Sequence, residues 1–318
     1  MIDICGNRRS LTVGQEVVGS FDADVVRYSD ARVCSSDGFI IAGCRLVKET
    51  YWTEDHRKEF VSGLFWHPYR LLSGKWLNHA ISLPLYWSWG YYHWICDVLP
   101  RLWLLRNLDL SEYLYLVPYP FKDWMRSSLA MLGIPEKQCV PLAGKLAYKV
   151  HNLLFPQPLA MTGDHDTSAV EWLRDKFSTR CGLASRPKNL RLYISRRFAG
   201  CRRVTNETDL FRVLARYGFQ MIHSENLSFE EQIDLFSRAE HIVGPHGAGL
   251  TNMLFAPESC HVIELFEPTI VRRCYRELAR ACGIKHQCMI LHSVMNGTKD
   301  PDMVIGCEML ATLDSYFK

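Results

Sequence analysis

Between residues 190 and 290, short apolar strands and amphipathic helical segments alternate along the chain with short loops. The expected strands read "LRLYIS", "FQMIHS", "HIVG", "CHVIELF" and "KHQCMIL". Ser228 and Glu231 open one of the helical segments with a capping-box pattern. This alternation predicts an α/β fold with a parallel, doubly wound sheet, in which ligands bind at the carboxyl ends of the strands.

The length and texture of the chain predict two domains. A chain of 318 residues exceeds the usual size of one domain. The first 75 residues contain short β-like runs and no long helical period, whereas strands and helices alternate from residue 112 onwards. A turn-rich stretch, "PQPLAMTGDHDTS", follows. We therefore place the N-terminal domain at 1–165 and the C-terminal domain at 166–318.

A glycine-rich turn, "GPHGAGLTN" at 244–252, follows the third of these strands. Gly247 and Gly249 would let a ligand approach the backbone, and a helix starting near Ala248 would direct unpaired N–H groups at an anion. The turn lacks the G-x-G-x-x-G spacing of dinucleotide sites and the lysine of a P-loop. It predicts a phosphate site, and the alternative is a turn whose glycines serve geometry alone. The predicted ligand-binding residues are His246, Gly247, Ala248, Gly249, Thr251 and Asn252.

A cluster of arginines follows the first strand of the same domain, in "YISRRFAGCRRVTNE". Guanidinium groups match phosphate oxygens and stay charged when partly buried. The 37 basic and 34 acidic residues leave a net charge of only +3, which argues against a nucleic-acid binder and makes any anion site local. We expect Arg196, Arg202 and Arg203 to hold a diphosphate opposite the glycine turn. The alternative is a solvated basic face.

A histidine and an aspartate lie four residues apart in "WSWGYYHWICDVLPRLWLL". On a helix, His93 and Asp97 would share one face. The opposite face is apolar and consists of Trp94, Ile95, Val98 and Leu102. A histidine beside a carboxylate suits general-base catalysis, and we favour Asp97 as the base with His93 as its partner. The alternative is a buried structural pair ahead of Pro100.

The distribution of cysteines and the hydropathy of the chain indicate where in the cell the protein is located. The 12 cysteines are scattered without zinc-site spacing, which indicates reduced side chains. No window reaches the roughly 18 apolar residues of a membrane span, and the first residues lack the apolar segment of a signal peptide. We expect a cytoplasmic protein with at most peripheral contact with the inner face of a membrane. "DHD" at 164–166 is the one string similar to a metal-binding motif, and we expect no metal there.

Three motifs, in order, resemble glycosyltransferase family 61, the DUF563 group, of the bacterial capsular polysaccharide type. They are "YYHWICDVLPRL", "YISRRFAGCRRVTNETDL" and "RAEHIVGPHGAGLTNMLFAPESCHVIELFEP". The residues that match the family patterns are His93, Asp97, Ser195, Arg196, Arg203, Asn206, Glu207 and the run 246–252. The resemblance implies a GT-B fold, in which two Rossmann-like domains face each other across a cleft. It also implies an acceptor-binding N-terminal domain, a C-terminal domain for a nucleotide sugar, and no metal cofactor.

The expected function is that of an inverting hexosyl- or pentosyltransferase. It would move a sugar from a nucleotide sugar, with a UDP-sugar favoured, to a glycan or lipid-linked glycan of capsule or lipopolysaccharide. Glu264 ends the strand "HVIEL" and is predicted to accept hydrogen bonds from ribose, although an inward carboxylate paired with an arginine fits as well. Two other functions remain open: a nucleotide-sugar epimerase of GT-B fold and a non-catalytic nucleotide-binding subunit.

Overall fold

The structure, a computed structural model, describes residues 15–18, 25–143, 147–269 and 272–318. It separates into two compact units, Met1–Met161 and Thr162–Lys318, which we call the N-terminal unit and the C-terminal unit. The sequence predicts this boundary after residue 165, whereas the two units divide after Met161. Each unit combines helices with a sheet that contains parallel strands, which confirms the α/β class.

The N-terminal unit is built on one mixed sheet. Its strands are β1 (Gln15–Val18), β2 (Val25–Cys34), β3 (Phe39–Ala42), β4 (Arg45–Leu46), β5 (Ser73–Ser82), β6 (Leu114–Val117), β7 (Cys139–Pro141) and β8 (Ala147–Pro156). Its α-helices are α1 (Glu54–Trp66), α2 (Tyr91–His93), α3 (Leu102–Leu105) and α4 (Asp123–Met131). A π-helical turn (Trp94–Val98) and a 3-10 turn (Leu99–Arg101) join α2 to α3.

Strand order in this sheet is β4-β3-β2-β8-β5-β6-β7, with β1 on β2. Strands β5 to β8 pair in parallel, but β2 runs antiparallel to β8, β3 and β1. Half of this sheet is therefore antiparallel, whereas the sheet of a Rossmann-like domain is parallel. A tight turn between β2 and β3 forces this antiparallel pairing, because parallel strands need a long crossover.

Helix α1 lies where the sequence shows no long helical period. Its apolar side chains Val61, Phe65 and Trp66 are exposed, so it lacks the buried apolar stripe that makes a helix recognisable in a sequence. The prediction of irregular structure was wrong at this segment.

The C-terminal unit alternates strands and helices. The strands are β9 (Leu190–Ile194), β10 (Phe219–Ile222), β11 (Ala239–Pro245), β12 (His261–Phe266), β13 (Lys285–Ile290), β14 (His292–Val294) and β15 (Asp302–Val304). The helices are α5 (Thr167–Cys181), α6 (Glu207–Ala215), α7 (Phe229–Ser237), α8 (Cys274–Ala281), α9 (Cys307–Phe317) and a 3-10 helix (Ala248–Phe255).

Five of these strands form a sheet in the order β10-β9-β11-β12-β13, and every pair is parallel. The predicted doubly wound sheet is confirmed, as is the capping box of Ser228 and Glu231 on α7. The strand order reverses between β9 and β11. Open α/β sheets bind ligands in the crevice at such a reversal, beyond the carboxyl ends of the strands.

Two local predictions from the sequence differ from the structure: Asn206 as the N-cap of the helix "NETDLFRVLARYG", and a helix over "TIVRRCYRELARACG" with Val271 on its apolar face. Asn206 stands at the start of α6, but its side chain bonds the backbone N–H and carbonyl of Ile305 instead of capping the helix. Helix α8 begins at Cys274, later than predicted, and Val271 of the predicted helix lies outside the described residues. Among the helices of the described ranges, none has the length and apolar composition needed to cross a membrane.

Candidate active site

The glycine turn packs directly on the end of β9. A Cβ added to Gly244 would lie 3.0 Å from Cβ of Ile194, and one added to Gly249 would lie 2.9 Å from its Cγ2. A Cβ on Gly247 would overlap the guanidinium of Arg196 and come within 2.8 Å of its Cζ. The glycines therefore let the turn pack against β9. This packing limits the size of the residue at these positions more directly than the approach of a ligand, which the sequence suggested.

Arg196 is a partly buried cation at this contact. Its Nη2 donates to the carbonyl of Cys201 at 3.1 Å, and its Nε is buried with no hydrogen-bond partner in the described part of the chain. Burial lowers the pKa of Arg196, and the charge of Arg202 lowers it further. Within the described ranges no carboxylate forms an ion pair with Arg196. A bound anion would satisfy both its charge and its unpaired N–H.

The other two predicted arginines already have carboxylate partners. Arg203 donates from Nε and Nη2 to Oδ2 of Asp302, at 3.0 and 2.6 Å, and these bonds raise the pKa of its guanidinium. Arg202 lies with its Nε 3.7 Å from Oδ2 of Asp300. The structure thus divides the cluster into one arginine without an acid and two that tie the loop to the segment around β15.

The other polar residues of the same motif hold the loop in place. Ser195 is buried and its Oγ accepts from the backbone N–H of Arg197 at 3.1 Å. Glu207 accepts from the hydroxyl of Tyr193 at 2.9 Å. With Asn206 bound to Ile305, these contacts fix the backbone that carries Arg196.

Two residues of the turn lie inside the unit. Asn252 is fully buried and its Nδ2 donates to Oε1 of Gln232 at 2.7 Å, which attaches the 3-10 helix to α7. Thr251 is fully buried, and its hydroxyl has no hydrogen-bond partner among the residues that the structure describes. Ala248 opens the 3-10 helix, at the position predicted for a helix start. We therefore assign Thr251 and Asn252 to the support of the turn, whereas Ala248 is exposed and Gly249 is partly exposed.

Sequence reasoning missed the loop after β10. Ser224 lies beside the turn, since a Cβ on Gly249 would be 3.1 Å from its hydroxyl. That hydroxyl and Nδ1 of the preceding His223 are buried, and neither has a hydrogen-bond partner within the described ranges. Unpaired buried polar groups are rare in folded proteins, and here they accompany Arg196 at the carboxyl ends of neighbouring strands. The polar pair that ends the strand "FQMIHS" was the available signal.

His246 takes part in a buried three-residue network. Its Nδ1 bonds Oε1 of Glu264 at 2.6 Å, and Nε2 of His286 bonds the other oxygen at 2.8 Å. Burial lowers the pKa of His246 although Glu264 opposes that shift, and its ring stacks on Phe266. Glu264 is 0% exposed with both oxygens engaged. The ribose role of Glu264 stays a prediction, and a ribose hydroxyl would have to replace one of these histidines.

In the N-terminal unit, His93 and Asp97 lie together as the spacing predicts. Nδ1 of His93 is 2.7 Å from Oδ2 of Asp97, and the side chains are 24% and 5% exposed, respectively. The π-helical turn Trp94–Val98 carries the aspartate, and such turns often occur at functional sites. The apolar face predicted opposite the pair is buried. Of the two groups, the imidazole is the one that reaches the surface.

Behind this pair lies a buried arginine that the sequence analysis did not single out. Arg101 is 0% exposed and donates from Nε to the carbonyl of Pro156 and from Nη1 to that of Leu83, both at 2.7 Å. Burial lowers its pKa to about 9, and the charge of Asp97 acts in the opposite direction. Arg101 therefore stays cationic at neutral pH and places a positive charge behind the pair. Its place four residues after Asp97, within an apolar helix, was the readable signal.

Aromatic rings surround His93. The ring of Trp87 lies 5.2 Å from that of His93, and the ring of Tyr92 is equally close. Trp87 adopts φ of 71°, a left-handed conformation that is uncommon for a large residue. Trp89 is exposed in the same turn. This aromatic rim offers apolar faces next to a titratable group.

The two aspartates of "DHD" at 164–166 make structural contacts. Asp166 caps α5 by accepting from the backbone N–H of Ala169 at 2.8 Å. Asp164 pairs with Arg273 at 2.7 Å. These contacts give both carboxylates a structural role.

Comparison with known proteins decides the family. The model of glycosyltransferase family 61, described as Glycosyltransferase 61, matches residues 91–263. The chain belongs to glycosyltransferase family 61. The matched range of the family 61 model contains His93, Asp97, Arg196 and the glycine turn, and it ends one residue before Glu264.

Several curated relatives share one name, EGF domain-specific O-linked N-acetylglucosamine transferase. The Drosophila melanogaster protein is 35% identical over 101 residues, which cover 30% of this chain and 18% of the relative. The Gallus gallus protein is 28% identical over 144 residues (43% and 26%), and the Rattus norvegicus protein is 32% identical over 142 residues (42% and 27%). The chain thus matches only about a quarter or less of the length of these relatives. Their names give no support to a capsular type.

Proposed function

We propose that this family 61 chain is an inverting, metal-independent glycosyltransferase that uses a nucleotide sugar. The observation that carries the proposal is Arg196, a partly buried guanidinium without a carboxylate partner among the described residues, set against the glycine turn where the strand order reverses. A nucleoside diphosphate supplies the missing negative charge. Family membership and the shared name of the relatives agree with a transferase.

At the donor end, Arg196 stabilises the leaving diphosphate. Backbone N–H groups at Gly247 and Ala248, where the 3-10 helix begins, add donors, and Ser224 supplies a hydroxyl. Charge that develops on the leaving group is best stabilised by groups fixed before the reaction. The contacts of Ser195, Asn206 and Arg203 provide that fixed position. Arginine and backbone donors replace the divalent cation that other transferases use.

At the acceptor end, we assign the base to His93 rather than to Asp97. Asp97 is nearly buried, bonds Nδ1 of His93, and lies under the charge of Arg101. In this arrangement the carboxylate orients the imidazole, and Nε2 takes the proton of the acceptor hydroxyl as its oxygen bonds to the anomeric carbon. The bond between that carbon and the diphosphate oxygen breaks in the same step. We keep the GT-B fold as part of this proposal.

The relatives suggest the first donor and acceptors to test. Their name specifies N-acetylglucosamine and an O-linked product on EGF domains, so UDP-N-acetylglucosamine is the first donor. The aromatic rim around His93 favours a sugar ring in the acceptor, because aromatic faces pack against apolar ligand faces. The acceptor assay compares two acceptors, a folded EGF domain and an oligosaccharide. We keep the cytoplasmic location as a proposal.

Isothermal titration calorimetry with UDP tests the donor site. Arg196→Ala should weaken binding by about 1.5–3 kcal/mol, the range for hydrogen bonds to charged groups. Arg203→Ala is the matched control: it loses the pairing with Asp302 and should lower the melting temperature more than the affinity. Equal affinity of wild type and Arg196→Ala would remove this arginine from the site.

Product analysis separates the remaining functions. A transferase forms a glycosylated acceptor and free nucleoside diphosphate, whereas an epimerase converts the donor to another nucleotide sugar without an acceptor. A non-catalytic subunit binds the donor and forms neither product. Either of the last two results would reject the proposal.

A further inference from the structure

Three side chains of different chemistry meet on one face of β12 and β13. Glu264 and Cys288 are directly paired across the two parallel strands, and His286 precedes Cys288 by two residues, so all three point to the same side. A carboxylate oxygen of Glu264, an imidazole nitrogen of His286 and Sγ of Cys288 lie within 4.8 Å of one another. The sheet register, rather than a sequence motif, assembles this group.

The donor set suits a particular ion. Zn²⁺ prefers thiolate, imidazole and carboxylate ligands, at about 2.3 Å to sulfur and about 2.0–2.2 Å to nitrogen and oxygen. Tetrahedral geometry then separates the ligand atoms by roughly 3.3–3.6 Å. Nε2 of His286 and Oε2 of Glu264 are 2.8 Å apart and would have to separate by roughly 0.5 Å, and rotation of the exposed Cys288 side chain can bring its sulfur to the ion.

We propose that Glu264, His286 and Cys288 form a zinc-binding site with solvent in the fourth position. The ion takes the place of the proton between His286 and Glu264, and Cys288 gives up its thiol proton to become the third ligand. Glu264 keeps its other oxygen on Nδ1 of His246. The bound ion therefore joins the edge strand β13 to the glycine turn, and its binding does not rest on the proposed transferase function.

The charged neighbours of the group permit this occupancy. Arg276 acts on Cys288, and its Nη2 is paired with Glu277 at 3.3 Å. Arg272 acts on His246, and its Nη2 lies 3.8 Å from Asp300. Arg276 and Arg272 thus each lie beside a carboxylate, which reduces their repulsion of a divalent ion, although Arg280 shares Glu277 and Arg202 shares Asp300.

Titration of the chelator-treated, full-length protein with Co²⁺ tests the site. Cobalt replaces zinc in such sites and gives a near-ultraviolet charge-transfer band only when a thiolate is bound. We expect this band to saturate at about one equivalent, and Zn²⁺ to abolish it by competition. Absence of the band from the wild type would overturn the proposal.

Single-residue variants identify the side chains that bind the cobalt responsible for the band. Cys288→Ser should remove it, and His286→Gln, which can still bond Glu264, should weaken cobalt binding by at least about tenfold. Cys307→Ser and Cys44→Ser are matched controls, because they remove the other two exposed thiols of the described residues. Circular dichroism checks that each variant is folded. A band that survives in Cys288→Ser, or that is lost in either control, would place the metal elsewhere.

Discussion

Each unit contains a histidine bonded through Nδ1 to a carboxylate, and the two pairs differ in almost everything else. His93 and Asp97 are four residues apart on one helical segment, and the imidazole is partly exposed. His246 and Glu264 are 18 residues apart, meet through the pairing of β11 with β12, and are buried with a second histidine behind them. The first pair can exchange protons with a substrate. The second fixes a turn.

The partners behind each carboxylate explain the difference. The charges of Asp97 and Arg101 act on each other, so a cation and one partly exposed imidazole are among the neighbours of this carboxylate. Glu264 is shared between two imidazoles, and burial lowers the pKa of His246, so that ring stays neutral. Similar pairs can therefore serve catalysis or architecture according to exposure and to the third residue.

The largest expected effect concerns catalysis by the exposed pair. His93→Ala should lower kcat by about 10²–10⁴-fold, the usual contribution of a general base, while donor affinity stays unchanged. Added imidazole should restore part of the rate, because it can occupy the space of the missing ring. Asp97→Asn should also be slow but should not respond to imidazole. These rates are measured at saturating donor with the acceptor that the assay identifies.

Other outcomes would change the comparison. If His93→Ala keeps its rate while Asp97→Asn is inactive, Asp97 is the base and the roles are reversed. If both variants turn over normally, the pair is structural like its buried counterpart.

The second effect concerns stability. His246→Ala leaves Oε1 of the buried Glu264 without its partner, and we expect the free energy of unfolding to fall by about 3 kcal/mol, at the lower end of the cost of breaking a buried pair. His286 still bonds the other oxygen, which limits the loss. His93→Ala, at the partly exposed pair, should cost no more than about 1 kcal/mol. Urea denaturation measures both, and equal losses would erase the distinction.

The smallest expected effect concerns Gly247 and Gly90, the glycines beside the two histidine–carboxylate pairs. Gly247→Ala should push Arg196 aside and weaken UDP binding by at least about tenfold, or roughly 1.5 kcal/mol. A Cβ on Gly90, beside His93, would meet its Cδ2 at 3.6 Å, which is an ordinary contact. Gly90→Ala should therefore change affinity and stability by less than about 0.5 kcal/mol. Normal UDP binding by Gly247→Ala would show that Arg196 can move without loss.

Local patterns in the sequence predicted what local interactions build. The alternation of strands and helices led to the parallel sheet, and the spacing of His93 and Asp97 placed them in contact, because helix periodicity alone determines which residues share a face. The capping box of α7 is a further example. The family was recognised from three motifs and is confirmed.

Contacts between distant residues could not be predicted in this way. Arg203 and Asp302 are 99 residues apart, so the sequence showed an arginine cluster but not which members were already paired. The link from Glu264 to His286 depends on the register between β12 and β13, which no single strand encodes. Exposed helix α1 carried no apolar stripe, and its helical structure was missed for that reason.

The position of β8 constrains how the N-terminal unit is made. This strand, at 147–156, lies between β2 and β5 and is paired with both along most of its length. During synthesis β2 emerges more than a hundred residues before its neighbour, so a nascent chain carries two sheet fragments with open edges until the last strand arrives. Ribosome-bound chains truncated before residue 147 should therefore need chaperone protection.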